Sequence, residues 1–212
     1  MMSMRGGMNV TFWDFCAPFY DFAEKFNGKA YTRMLDVVKG IVPRNASVLE
    51  VAAGTGSISL AVADKVEYVL CTDLSARMLA VARKKARRRK AANIQFANLD
   101  ILNIDKADNS FDVVIAGQVL HLLKRPEKAA AEIRRVARNM VILPIPLTYN
   151  LSGKAKWSLR LYKLLGFDPK FEFDAESYAK FLPEIGFHDC EIIQIPGKLP
   201  KAVAVWKGGK KR

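Results

Sequence analysis

Two glycines and three carboxylates are spaced in this chain as a nucleoside-binding site needs them. The stretch "SVLEVAAGTGSISLAVA", Ser47 to Ala63, runs from a strand-like apolar segment through Gly54 and Gly56 into a helix-like one. Glycine at those positions lets the backbone approach a ligand with no Cβ in the way. A helix over Ser57 to Lys65 aims its first N–H groups and the positive end of its dipole at that ligand. Glu50 sits inside the apolar strand, where a charge is costly unless partnered, so it holds the loop or meets a cation. Asp73 ends the next apolar run, where a carboxylate can accept both hydroxyls of a ribose or cap a turn. Asp100 ends the run after that, placed to accept from an adenine amino group or to serve as a turn residue. The glycine turn alone is compatible with any nucleotide or none. A dinucleotide fingerprint requires G-x-G-x-x-G, and Ser59 stands where its third glycine belongs.

The elements that must position these groups are legible as alternation. "SVLEVA", "EYVLCTD", "IQFANLD", "FDVVIAG" and "NMVILPIP" read as strands. Helices come between them: one capped by Ser75 and running to about Lys90, another opened by Pro126 and running to Arg138. This rhythm predicts an α/β, Rossmann-like, doubly wound sheet, mostly parallel, with helices on both faces. Asp174 caps a helix through Glu184. "FHDCEIIQI" and "KAVAVWKG" then pair as an antiparallel C-terminal hairpin at the sheet edge, giving seven strands in one domain over residues 1–212. Residues 1–42 form a helical cap segment, with Tyr31, Met34, Leu35 and Val38 at helical spacing. Residues 147–173 interrupt the rhythm and read as a lid over the carboxyl ends of the strands.

Composition narrows the class. Half of the 212 residues are hydrophobic, which excludes a disordered chain. No apolar run approaches a membrane span, and the first residues lack a signal-peptide core. Cys16, Cys71 and Cys190 are odd in number and far apart, which fits reduced thiols and a cytoplasmic setting, with no metal site. The 34 Lys and Arg against 21 Asp and Glu leave a net charge of +13. That charge suits nucleic acid, anionic membrane or acidic substrates, or a solvated surface.

Taken together, "VLEVAAGTG", "CTDLSARMLAVARKKA", "IQFANLDI" and "NSFDVVIAGQVLHLLKRPEKAAAEIRRVAR" resemble the class I S-adenosylmethionine-dependent methyltransferases. The likeness is to the small-molecule type that includes the ubiquinone and menaquinone biosynthesis methyltransferases. It implies S-adenosylmethionine as cofactor and S-adenosylhomocysteine as product. It assigns Glu50, Ala52, Gly54 and Gly56 to the cofactor's amino-acid part, and Asp73, with Leu74 and Met78, to the ribose. Asp100 and Ile101 go to the adenine, Ala116 and Gln118 to the methionine portion, and Tyr20 also to the cofactor. His121, on "VLH", is the candidate general base, with a packing histidine as its alternative. His188 reads as surface. Tyr20 and Asp21 in the cap, and Tyr149, Trp157 and Tyr162 in the lid, are candidates for the substrate wall.

Two departures from the family pattern stand out. Ala52 replaces a usual glycine, and its Cβ fits if φ stays negative, which is the expectation. The Pro-Gly-Gly turn before the fifth strand is absent, a variation expected at the end of the sheet away from the cofactor. The resulting function is methyl transfer to a small-molecule acceptor, lipophilic ones included. One alternative is an RNA methyltransferase using the basic helix 83–90. The run has no interleaved aromatics, and no Asn-Pro-Pro-Tyr type motif or Pro-Cys pair accompanies it, so nucleic acid is the less favoured partner. Another alternative is a non-catalytic cofactor-binding domain.

Overall fold

Alternating apolar runs and amphipathic helices build one sheet. The computed structural model describes residues 4–5, 8–20, 28–149 and 167–208. A short antiparallel ribbon, β1 (Met4–Arg5) and β2 (Met8–Asn9), leads into α1 (Val10–Cys16) and then α2 (Gly28–Ile41). There follow β3 (Ser47–Glu50), α3 (Ser57–Val62), β4 (Tyr68–Asp73), α4 (Ala76–Arg89), β5 (Ile94–Asn98) and β6 (Phe111–Ile115). A 3-10 turn at Leu120–Leu122 precedes α5 (Pro126–Val136) and β7 (Ala137–Pro146). The described chain closes with α6 (Ala175–Glu184), β8 (Glu191–Ile195) and β9 (Lys201–Lys207).

The seven strands lie in the order β5-β4-β3-β6-β7-β9-β8. The first five in this order, β5 to β7, are parallel, and β9 runs antiparallel to both β7 and β8. This is the expected doubly wound sheet with its antiparallel C-terminal pair. Strand order reverses between β3 and β6, and such a switch point opens a crevice at the carboxyl ends of the strands.

Strand alternation sends side chains to both faces. Val48, Val113 and Ile115 pack with Met34 and Val38 of α2, Ile58 of α3, and Leu79 and Ala82 of α4. Leu49, Val51 and Val114 pack on the other face with Ala129 and Ile133 of α5 and Tyr178 and Phe181 of α6. Each large apolar side chain buried this way contributes about 1.5–3 kcal/mol. The two faces lock the sheet so that its carboxyl edge is a fixed platform.

The caps are set by local chemistry. Asp174 and Ser177 form a reciprocal capping box at α6. The Ser75 hydroxyl accepts the Met78 N–H at 3.0 Å and donates to Asp14 Oδ1 at 2.5 Å, so one residue starts α4 and ties α1 to it. The helix α5 passes into β7 with no intervening turn residues. There Arg138 pairs with Asp112 at 2.7 Å, at the amino end of the strands, where the missing Pro-Gly-Gly turn was expected to matter least.

Replacing Ser75 by Ala removes both bonds. Thermal unfolding should show a loss of about 1 kcal/mol, the ordinary worth of an N-cap, together with a change in Trp13 fluorescence as α1 loosens. Unchanged melting and emission would remove Ser75 from both roles.

Candidate functional site

The loop after β3 is shaped by a constraint at the switch point. In an extended central strand, successive N–H groups point to opposite neighbours. The Val51 N–H bonds Ile115 O on the β6 side at 2.9 Å, and the Ala53 N–H bonds Thr72 O on the β4 side at 2.8 Å. Those two residues would face the same neighbour if Ala52 were extended. Ala52 instead has φ 50°, which corrects the expectation of a negative φ. A left-handed L-residue costs about 1–2 kcal/mol, here offset by bonds to both flanking strands. Gly54 at φ 55° and Gly56 at φ 72° continue the winding. A Cβ on Gly56 would sit 3.0 Å from Ala82 Cβ, so helix packing excludes it. A Cβ on Gly54 would meet nothing within 4 Å, so the space above Gly54 is open.

Three carboxyl and hydroxyl groups hold this loop. Asp73, at the end of β4, accepts the Gly54 N–H at 2.7 Å and the Ser75 N–H at 2.8 Å. Burial raises its pKa against the lowering by those bonds. Glu50 accepts the Ser59 N–H at 2.7 Å and also bonds the Ser59 hydroxyl. It therefore satisfies one of the N–H groups that the sequence left for a ligand. The helix is also shorter than expected, six residues rather than a run to Lys65. Burial pushes the Glu50 pKa up to about 7, with the Ser59 bonds and Lys85 pulling it down and Asp73 pushing it further up. Lys85 reaches back from α4 to Thr55 at 3.2 Å and Ser57 at 3.1 Å, so one cation of the basic run serves the loop. Arg83 lies over the Phe96 ring at 5.6 Å, while Arg87, Arg88 and Arg89 are exposed in the last turn of α4.

A cleft lies over the loop, open to solvent on one side. Of the expected residues, it is lined by Tyr20, Glu50, Ala52, Gly54, Asp73, Met78 and Gln118. Gly56 is buried beneath it, and Ala116, just past the end of β6, is buried as well. Leu74 is half-buried beside Asp73 and does not line the cleft. Asp100 accepts the Leu102 N–H at 2.9 Å and bridges to Asn103. That is its turn role, and Ile101 beside it is in the core. Tyr149 is 54% exposed and outside the cleft lining. Asp21, Trp157 and Tyr162 lie outside the described residues.

His121 is buried just outside the lining, with Nδ1 unpartnered among the described residues and its pKa lowered to about 3 by burial and by Lys201. Its carbonyl accepts the N–H groups of Lys170 and Phe171, and its ring lies 6.3 Å from that of Phe167. At neutral pH it is an uncharged imidazole. His188 is exposed, as expected.

Trp13, Thr55 and Gly117 line the cleft without having been singled out, and so does Tyr31, which the sequence marks only as packing. Tyr31 sits on an amphipathic helix beside the buried Ala30 and Met34, so periodicity alone marks it as packing, while Trp13 sits on a short helix whose buried residue is Phe12. The signal available was their place in the cap segment, aromatic and adjacent to Tyr20. Trp13 and Phe12 also pack on Phe167, at 6.2 and 6.4 Å, joining cap and lid ends. Among the described residues no cluster of metal-ligating side chains occurs.

This cradle fits an adenosine-type cofactor. It has open space over Gly54, a carboxylate at the end of β4, and a buried carboxyl at the strand end. The comparisons agree. Residues 49–143 match the family model described as Methyltransferase domain. A demethylmenaquinone methyltransferase of Renibacterium salmoninarum is 28% identical over 226 residues, covering 95% of this chain and 92% of that protein. The methyltransferase solved in complex with the Trm112 activator of Haloferax volcanii has a TM-score of 0.76 at 15% identity, covering 96% of this chain and 98% of that one. Magnesium protoporphyrin IX methyltransferase of Synechocystis PCC 6803, solved with bound SAH, gives 0.66 at 18% identity, covering 89% and 88%.

Two outcomes follow from the loop. Ala52→Gly relieves the left-handed Cβ and gives back part of the gain as unfolded-chain entropy, so it should stabilise by roughly 0.5–1 kcal/mol. A lower melting temperature would contradict the strain. For Glu50, the folded pKa lies above the unfolded one, so its contribution is complete below about 4.5 and is lost as pH rises through about 7. Wild type should lose up to roughly 3 kcal/mol between pH 5 and 8 from this group, and Glu50→Gln should not. Parallel pH–stability curves for the two would reject this assignment.

Proposed function

We propose that this chain is an S-adenosylmethionine-dependent methyltransferase that methylates a small, lipophilic acceptor in the cleft between the loop at 52–56 and the aromatic cap. The observation that carries the proposal is the open space over Gly54 beside the Asp73 carboxylate, in a chain with a methyltransferase domain. When bound, the cofactor supplies a methyl group already activated on a sulfonium.

The chain's own part is to bind, align and exclude water. Asp73 accepts the ribose hydroxyls with the lone pairs that Gly54 and Ser75 leave. Glu50 meets the cationic amino group, a contact that favours its ionised form. Trp13, Tyr20 and Tyr31 give the cleft an aromatic wall that suits both a sulfonium and a planar acceptor. His121, neutral and buried behind the cleft, is a weak base, so the acceptor brings its own acidity to any proton it releases.

The acceptor class named for the relative, demethylmenaquinone, is the first to test, in its reduced form. The exposed Arg87–Arg89 turn is a solvated cationic helix end in this reading, with nucleic acid the less favoured partner. The three free cysteines suit a cytoplasmic setting.

Titration calorimetry with S-adenosylhomocysteine tests the proposal. Wild type should bind, and Asp73→Ala should weaken binding by about ten- to a hundredfold, the worth of hydrogen bonds to a charged group. Absence of binding by wild type would overturn the cleft as a cofactor site. Equal binding by both proteins would take the ribose role from Asp73.

A further inference from the structure

Lys201 is 1% exposed and opens β9. Because β9 runs antiparallel to β7, its first residue lies at the carboxyl ends of the parallel strands, on the side of the cleft. Its ammonium donates to Gln118 Oε1 at 2.8 Å and stands 5.4 Å from the centre of the Tyr31 ring. Gln118 and Tyr31 both line the cleft.

An ammonium has donors only, so the Gln118 atom it touches must be the carbonyl oxygen. The NH2 end of that carboxamide is then the donor left to the cleft, and it has no partner among the described residues. Gln118 itself is held in a left-handed conformation, φ 55°, with its N–H on Pro144 O at 2.7 Å. Such backbone strain persists where the surroundings over-determine it, commonly at ligand clamps. A buried ammonium also carries a desolvation cost, so two costly features meet at one side chain. Polarisation by the ammonium makes the amide a stronger donor, and donors near a cation favour an anion. Glu50, the buried carboxyl, lines the same cleft.

We propose that Lys201 is a positioning residue that holds the Gln118 carboxamide with its NH2 toward the cleft, as the receptor for the carboxylate of the cofactor's amino-acid part. Glu50 and the Gln118–Lys201 pair then form a receptor for a zwitterion, one acid for the ammonium and one polarised amide for the carboxylate. This rests on the cofactor reading above.

The test is titration calorimetry on the full chain with two probes: S-adenosylhomocysteine, and methylthioadenosine, which lacks the amino-acid part. Lys201→Met should weaken S-adenosylhomocysteine by about tenfold or more, the scale of a charge-assisted hydrogen bond, and leave methylthioadenosine unchanged. Lys201→Arg, which still donates to Oε1, should restore most of the loss. Gln118→Glu keeps the size and the Lys201 partner but turns an oxygen to the cleft. It should weaken S-adenosylhomocysteine further, and it carries the test alone if Lys201→Met does not fold. Equal loss of both probes would mark a merely structural role and overturn the proposal, as would unchanged binding of both or failure of Lys201→Arg to restore. If wild type binds neither probe, the cofactor reading itself fails. If it binds both and the variants match it, only this inference fails.

Discussion

The Asp73 carboxylate joins the segments on which the site depends. One oxygen takes the Gly54 N–H and the other the Ser75 N–H. The loop after β3 and the start of α4 are thereby fixed to the end of β4. Through the Ser75 hydroxyl the tie extends to Asp14, and so to the helix that carries Trp13 over the cleft. A carboxylate satisfied by backbone donors on one side keeps acceptor capacity on the other. The residue that shapes the loop is therefore also placed to meet a ligand, and the shape needs no ligand to form.

The second organising feature is buried charge at the carboxyl edge. Glu50, Lys201 and His121 are each nearly excluded from water. Burial drives Glu50 toward the protonated form and His121 toward the neutral one. A ligand charge placed beside these buried groups interacts strongly with a few fixed partners. The exposed basic end of α4 is less decisive. Of its run, Lys85 is drawn into the loop and Arg83 onto Phe96, which leaves the last turn to solvent.

The parts legible in the sequence are those set by local chemistry. Strand alternation, the Ser75 and Asp174 caps and the antiparallel final pair all follow from neighbouring residues. Glu50 and Asp73 were readable because a carboxyl in or ending an apolar run demands partners. Ala52 was misread because its φ is dictated by hydrogen bonds to β4 and β6, which no local pattern reveals. The length of α3 was overestimated because the apolar pattern continues past Val62 while the helix does not. Asp100 offers two roles by type, and its turn bond engages Oδ1, which leaves Oδ2 as an acceptor for an adenine amino group. Lys201 carries no signal because a lysine opening a strand looks ordinary, and Tyr31 reads as packing because it lies at helical spacing on an amphipathic helix. Only the sheet order brings them to Gln118.

The central claim is that the space over Gly54 holds the cofactor against Asp73. A crystal structure of the chain with S-adenosylhomocysteine tests it most directly. The account predicts ribose hydroxyls within hydrogen-bond distance of the Asp73 carboxylate and the amino-acid part over residues 52–56, beside Glu50. A ligand bound elsewhere, or bound in the cleft with no contact to Asp73, would contradict it.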